Sequence, residues 1–274
     1  KKQFARVLSL VIEIQKDNKM NTDKKNLELE SKSDLPLLLN GCCLDWMDQL
    51  ISEGVKVDAI ITDPPFNIVE KIGKNIHIFR QGEKQNNASI TSDSMSFDVG
   101  FNQTAWLEKI PKILKRGGNL IIFNDWENMG DIAKELRKHK IKVKCLNHWQ
   151  KNNPCPAEWG RRFVAGREYF LHCTNGGKYE FNVDKLHKGA FNYPLTKQSE
   201  KKFGKHPNQK PLNLMEELIS ILSIEGQTIL DPFMGSGSTG VAAKNLNRKF
   251  IGIEMDEGYF NLAKERMTEA HKQC

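Results

Sequence analysis

Short apolar runs alternate with amphipathic stretches along most of this chain, from Leu35 onward. The runs predict buried strands at 37–39, 59–62, 119–124, 141–149, 167–173, 228–230 and 250–254. The stretches between them predict helices that include 44–52, 104–115, 131–140 and 211–223. Strands that alternate with helices form a largely parallel sheet with helices on both faces. The pattern therefore predicts a doubly wound, Rossmann-like α/β fold with a small insertion.

A chain of 274 residues is long enough for one such domain. Residues 1–34 are interpreted as a flexible N-terminal extension, 35–268 as the main domain and 269–274 as a tail. Within the domain, the polar stretch 67–100 lacks periodicity and predicts a mobile loop, and 174–205 predicts the insertion. No stretch approaches the ~20 apolar residues of a membrane span.

The net charge of +7 favours a polyanionic partner. Between Lys178 and Lys210, eight lysines face three acidic residues, with five aromatic residues interleaved. This composition suits nucleic-acid contact, and equally a solvated insertion with a small hydrophobic cluster. The six cysteines include no C-x-x-C pair, which predicts reduced thiols and no metal site.

A Gly-rich segment from Asp231 to Gly240, Asp-Pro-Phe-Met-Gly-Ser-Gly-Ser-Thr-Gly, follows the strand at 228–230. Glycines between a strand and a helix let a ligand approach the backbone, and Glu254 at the end of the next strand can accept hydrogen bonds from ribose hydroxyls. Spacing alone also fits a dinucleotide site. A carboxylate at Asp231 would repel a pyrophosphate and attract a methionine ammonium, so it favours S-adenosylmethionine over NAD.

The segment Asp63-Pro64-Pro65-Phe66 follows the strand at 59–62. The exocyclic amino group of a nucleobase is a poor nucleophile because its lone pair is delocalised into the ring. Two acceptors that hold both amino hydrogens, the Asp63 carboxylate and the Pro64 carbonyl, would return the lone pair to nitrogen. The prolines stiffen the backbone, and Phe66 offers a surface on which a flipped base can stack. The structural alternative is a rigid turn at the strand end with a buried Phe.

These two segments resemble motifs IV and I of S-adenosylmethionine-dependent DNA amino-methyltransferases, in the order of the β group, and the likeness runs from Leu37 to Thr268. The stretch from His206 to Pro211 resembles motif X, which closes over the cofactor. The stretch from Trp149 to Pro154 resembles motif VIII, near the flipped base, and the residues between them occupy the place of the target-recognition region.

The resemblance implies specific roles, and its residues fall into three sets. The catalytic set is Asp63, Pro64, Pro65 and Phe66. The cofactor-binding set is Asp231, Phe233, Gly235, Gly237, Ser238, Thr239, Glu254, Asn208, Lys210 and Cys42. The DNA-binding set is Trp149, Lys151, Lys197, Lys201 and Lys202. Cys42 stands where the family often has an Asp that contacts the cofactor adenine, so only a backbone contact is implied there.

The function implied is methyl transfer from S-adenosylmethionine to adenine N6 in double-stranded DNA, because the family associates an Asp at position 63 with adenine. N4-cytosine methylation, RNA adenine methylation and a non-catalytic nucleic-acid-binding subunit remain open alternatives. Pro154-Cys155 mimics the nucleophile of cytosine C5 enzymes, but no matching acidic motif follows it. The expected setting is a cytoplasmic, nucleoid-associated enzyme of bacterial or phage origin, with a homodimer and a separately acting restriction endonuclease left open.

Overall fold

The computed structural model describes residues 36–67, 100–154, 163–164, 166–183, 187 and 189–270. The predictions made for the N-terminal extension, for nearly all of the 67–100 loop and for Cys155 lie outside these ranges. Across the described ranges, no helix is long and apolar enough to span a membrane. No group of three or more His, Cys, Asp or Glu side chains in the same ranges is placed to hold a metal ion.

Eight strands and six α-helices make up the described part of the chain. The strands are β1 (Leu37–Asn40), β2 (Val57–Thr62), β3 (Leu114–Asn124), β4 (Lys142–Lys151), β5 (Arg167–Thr174), β6 (Ala190–Tyr193), β7 (Thr228–Asp231) and β8 (Lys249–Glu254). The helices are α1 (Cys43–Ser52), α2 (Ile110–Ile113), α3 (Met129–Lys138), α4 (Leu212–Leu222), α5 (Ser238–Asn245) and α6 (Glu257–Ala270). Two 3₁₀ turns lie at Leu107–Lys109 and Gln198–Lys201.

The strands form one sheet in the order β1-β8-β7-β2-β3-β5-β4-β6. β5 pairs antiparallel with both of its neighbours, and every other pairing among the described strands is parallel. The chain moves one way across the sheet from β2 to β3 and the other way from β7 to β8. Such a reversal opens a crevice at the carboxyl ends of the strands on either side, here β2 and β7.

Helices cover both faces of the sheet, each over its own hydrophobic cluster. On one face, Met47 of α1, Ile110 of α2 and Ile132 of α3 pack on the sheet, all fully buried. On the other face, Leu218 of α4 and Ala242 of α5 do the same, with Ala263 and Met267 of α6 beside them. The predicted doubly wound, Rossmann-like fold is confirmed.

The helix predicted over 104–115 is shorter in the structure, and its last two residues belong to a strand. A 3₁₀ turn and the four-residue α2, with Pro111 in its first turn, end at Ile113, and β3 begins at Leu114. Leu114 pairs with Val57, and a register shift then accommodates the residues up to Asn119. The Asn175 side chain also donates to the Leu114 carbonyl at 2.7 Å. Tertiary pairing therefore extends the strand into a region whose local pattern fitted a helix.

Part of the predicted insertion at 174–205 belongs to the main sheet. β6 pairs in parallel with the last four residues of β4, from His148 to Lys151. Phe191 of β6 is buried and packs with Trp149 and Phe170 in the second hydrophobic cluster. Of the two interpretations of this segment, the small hydrophobic cluster is present here, and nucleic-acid contact stays a prediction.

Candidate active site

A cavity of about 580 Å³ opens at the carboxyl ends of β2 and β7. Its volume lies in the range of sites that hold small molecules and cofactors. Twelve of the fourteen residues predicted for catalysis or cofactor binding line it: Asp63, Pro64, Pro65, Asp231, Phe233, Gly235, Ser238, Thr239, Glu254, Asn208, Lys210 and Cys42. Phe66 and Gly237 do not line it.

Asp63 lies at the start of a line of four alternating charges. Lys210 forms an ion pair with Oδ2 of Asp63 and lies 3.1 Å from Oε2 of Glu168. Lys151 approaches the other oxygen of Glu168 at 2.7 Å. Burial raises the pKa of Asp63 to about 6, against the opposing attraction of Lys210. Asp63 is therefore ionised near neutral pH yet more basic than an exposed carboxylate.

Lys210 has a different partner from the one predicted for it. Although burial acts to lower it, the pKa of Lys210 is raised by Asp63 and Glu168. Its ammonium also lies 5.7 Å from the ring centre of Phe66 and 5.2 Å from that of Phe123. Lys210 lines the cavity as well, so a contact with the cofactor stays a prediction beside the observed pair with Asp63.

Two acceptors of the Asp-Pro-Pro-Phe turn are open. Oδ1 of Asp63 is buried and has no hydrogen-bond partner among the described residues. No described donor reaches the carbonyl oxygen of Pro64 either, whereas the next two carbonyls, of Pro65 and Phe66, each accept a side-chain amide. A buried carboxylate oxygen without a partner is costly, which marks it as a position for a ligand donor.

Asp231 is held by the protein itself. Its Oδ1 accepts from the Thr62 hydroxyl at 2.7 Å and from the Phe233 amide at 3.1 Å, and its Oδ2 accepts from the Thr239 hydroxyl at 2.6 Å. Burial raises the pKa of Asp231 to about 6. These bonds tie the end of β2 to the Gly-rich turn and account for the carboxylate without a ligand, so the predicted contact with a methionine ammonium stays a prediction.

Glu254 closes the Gly-rich turn from the end of β8. Its two oxygens accept from the backbone amides of Gly235 and Asp256 at 2.8 and 2.9 Å. Burial raises the pKa of Glu254. Each carboxylate oxygen has a second lone pair, so Glu254 can still accept hydrogen bonds from a ribose while it holds the turn.

Gly237 has a structural role besides the predicted one. A Cβ at Gly237 would lie 2.9 Å from both Ala263 Cβ and Met267 Cε of α6. The residue has a positive φ of 77° and precedes the first residue of α5. Gly237 is therefore required for backbone conformation and for packing of α5 on α6, and its role in the approach of a ligand stays a prediction.

Several residues of the site carried no signal in the sequence. Trp106 and Phe101 line the cavity and contact the Phe233 ring edge-on, with ring centres 5.2 and 5.3 Å apart. Glu168 comes from β5, and only the reversed direction of that strand brings its first residues to the catalytic edge. Arg266 of α6 donates to the carbonyl of Ser236 at 2.5 Å and steadies the Gly-rich turn.

One of the five predicted DNA contacts needs correction. Trp149 is only 1% exposed and donates its indole N–H to the Tyr193 carbonyl at 2.8 Å, so it is a core residue. Lys151 pairs with Glu168, and Lys202 pairs with Glu269 while it remains exposed, so the DNA contacts of both lysines stay predictions beside the observed ion pairs. Lys197 is exposed and Lys201 partly exposed, and both are available to phosphates.

Comparison with known proteins shows that this chain is similar to DNA methyltransferases. The N6/N4 DNA methylase family model matches residues 57–265. The Type II methyltransferase M2.LlaDCHI of Lactococcus lactis subsp. cremoris is 33% identical over 228 residues, covering 78% of this chain and 82% of that protein. M2.DpnII of Streptococcus pneumoniae is 32% identical over 226 residues, covering 77% and 82%. The crystal structure of the M1.HpyAVI–SAM complex superposes with a TM-score of 0.66 at 32% identity, covering 85% of this chain and all of that one.

The fold, the crevice and the paired motifs define an S-adenosylmethionine-dependent methyltransferase. The family match, which covers most of the chain, places it further: the protein belongs to the N6/N4 DNA methylase family. The cavity fits the cofactor, because its volume suits one, its Gly-rich turn is held open by Asp231 and Glu254, and Phe233 and Trp106 give it an aromatic side. The predicted family and cofactor are confirmed.

Proposed function

We propose that this enzyme methylates the N6 amino group of adenine in a specific double-stranded DNA sequence, after flipping the base into the cavity. The observation that carries the proposal is the pair of open acceptors at the catalytic turn, Oδ1 of Asp63 and the Pro64 carbonyl. An exocyclic amino group has two hydrogens and needs two such acceptors.

S-adenosylmethionine, when bound, supplies an electrophilic methyl group on a positively charged sulfur. The Asp63 carboxylate and the Pro64 carbonyl accept hydrogen bonds from the two amino hydrogens. These bonds return the lone pair to the target nitrogen. The nitrogen that gains the methyl group must lose one proton, and Asp63 is ionised near neutral pH and placed to accept it. Glu254, Asn208 and the Gly-rich turn would hold the cofactor, and Phe233 with Trp106 would exclude water from one side.

Adenine is favoured over cytosine by the Asp at position 63, through the family association stated above. The turn itself does not discriminate adenine from cytosine, since both bases present an amino group to the same two acceptors. N4-cytosine methylation is therefore the second candidate. Intact acceptors in a lined cavity argue against a non-catalytic subunit, which has no use for them.

The test is to incubate the enzyme with methyl-labelled S-adenosylmethionine and unmodified duplex DNA or RNA, and to identify the labelled nucleoside. We expect N6-methyladenine from DNA. N4-methylcytosine as the sole product would establish the second candidate, label confined to RNA would establish an RNA enzyme, and no label would refute catalysis.

The relatives reported above are named Type II methyltransferases, which supports a restriction–modification setting for this chain. A separately acting restriction endonuclease, a homodimer and a cytoplasmic, nucleoid-associated location stay predictions. Size-exclusion chromatography with light scattering, with and without DNA, tests the dimer.

A further inference from the structure

Three side-chain amides from three separate parts of the fold meet beneath the catalytic turn. Gln103 precedes the first 3₁₀ turn, Asn124 is the last residue of β3, and Asn128 immediately precedes α3. Asn124 is 2% exposed, and the other two are partly buried. None of them was singled out by sequence, because isolated amides have no pattern.

The amides form a chain with a fixed direction. Asn124 donates through Nδ2 to Oε1 of Gln103 at 2.9 Å, which leaves the Gln103 amino group to donate to the Pro65 carbonyl at 2.6 Å. On its other side, Oδ1 of Asn124 accepts from Nδ2 of Asn128 at 2.7 Å, and the same Nδ2 lies 3.1 Å from the Phe66 carbonyl. Each amide thus determines which way its neighbour faces.

We propose that Gln103, Asn124 and Asn128 are positioning residues, which occupy the Pro65 and Phe66 carbonyls so that the Pro64 carbonyl stays aimed at the target amino group. The inference rests on the proposed function. Proline has no N–H with which to anchor the turn to neighbouring backbone, and Pro64 and Pro65 are consecutive. The two prolines can therefore make backbone hydrogen bonds only through their carbonyls, and the amides supply donors at the consecutive carbonyls of Pro65 and Phe66.

A flank is held in the same manner. Asn67, the residue after the turn, donates through Nδ2 to the Phe101 carbonyl at 2.8 Å and accepts from the Phe101 amide at 3.0 Å. The turn is thus fastened at Pro65, Phe66 and Asn67, and the two acceptors before them, Oδ1 of Asp63 and the Pro64 carbonyl, have no described donor. The two acceptors without a described donor are thus the two that the target amino group requires.

The variants Gln103→Glu and Asn128→Asp test the proposal, because each keeps the shape and replaces an amide donor by a carboxylate oxygen facing a carbonyl. We expect kcat to fall by about 10²-fold, as expected for a misplaced reacting group, while the dissociation constant of S-adenosylhomocysteine, measured by calorimetry, stays unchanged. The matched control is Asn182→Asp. Asn182 also donates through Nδ2 to two carbonyls, of Ser220 and Ser223, but neither carbonyl belongs to the catalytic turn.

The control separates positioning from general stability. If Asn182→Asp lowers the melting temperature as much as Asn128→Asp but keeps the parent kcat, the loss in Asn128→Asp belongs to the catalytic turn. Asn124→Asp touches neither turn carbonyl, yet should lower kcat as well, and its effect should be less than additive with that of Gln103→Glu. If both Gln103→Glu and Asn128→Asp keep the kcat of the parent enzyme, this inference is wrong but the proposed function is unaffected. If the parent enzyme makes no methylated DNA, the proposed function is wrong.

Discussion

The two carboxylate oxygens of Asp63 have different surroundings. Lys210 neutralises Oδ2, and Oδ1 is buried without a described partner. The ion pair keeps the carboxylate charged in a buried position, where an isolated charge would be protonated instead. One oxygen thus maintains the charge, and the other is left for the substrate.

Asp63→Ala should lower kcat by on the order of 10²–10³ or more, because a hydrogen bond that strengthens in the transition state is lost. Binding of S-adenosylhomocysteine should be nearly unchanged, since Lys210 keeps Glu168 as its counter-ion. Single-turnover methylation and calorimetry measure the two quantities. Turnover within tenfold of the parent would refute this role for Asp63.

The pH dependence of kcat/KM should show an acid limb near pH 6, because the protonated form of Asp63 cannot accept the amino hydrogen and the pKa of Asp63 is about 6. Activity is present above that pH and lost below it. Glu168→Gln removes a neighbouring negative charge that raises the pKa of Asp63, so the limb should move to lower pH. An unshifted limb in Glu168→Gln, or a shift to higher pH, would contradict the assignment of the limb to Asp63.

At the scale of the elements, the residues at the strand ends could be predicted from the sequence. The strand pairings that place Trp149 and Glu168 could not. Asp63, Asp231 and Glu254 each follow an apolar run, so their strands place them at one edge of the sheet. The burial of Trp149 depends on β6, an edge strand contributed by a segment whose composition indicated surface. The position of Glu168 depends on the direction of β5, which hydrophobic periodicity does not encode.

Gly237→Ala should destabilise the fold through the α5–α6 contact. The positive φ costs roughly 1–2 kcal/mol for a residue with a Cβ, and the contacts with Ala263 and Met267 add to it. Gly226→Ala is the matched control, since Gly226 has a φ of 75° and nothing within 4 Å of its added Cβ. The difference in free energy of unfolding, measured in urea, isolates the packing cost. An equal decrease in the free energy of unfolding in the two variants would show that α6 shifts to accommodate the added methyl group, so that packing does not require a glycine.

At the scale of the whole molecule, the net charge of +7 is the property that most directly concerns DNA. The lysines differ in availability, however, because Lys151 and Lys210 are largely buried beside acidic partners, whereas Lys202 is exposed although it pairs with Glu269. The net charge therefore overstates the number of cations that can release counterions from a duplex. The contribution of the exposed lysines must be measured by substituting them individually.

Replacing both Lys197 and Lys201 by Glu should weaken DNA binding to all sequences alike and reduce the log–log salt slope by about 2, roughly one unit per lost phosphate contact. Lys56→Glu is the control, since Lys56 is also exposed but directly precedes β2, at the end of the strand opposite Asp63. Fluorescence anisotropy across a salt series measures both slopes. A slope unchanged in the double variant, or one changed equally by Lys56→Glu, would remove this segment from the DNA interface.

Neighbouring strands of the central sheet come from opposite ends of the described chain: β1 pairs with β8, β2 pairs with β7, and α6 packs against β1. The crevice therefore depends on which strands are adjacent in space, and not on which half of the chain is synthesised first. A chain in which the α4-to-α6 half preceded the β1-to-β6 half would form the same crevice between the same two strands. Gene rearrangement can thus reorder such an enzyme during evolution while its chemistry stays the same.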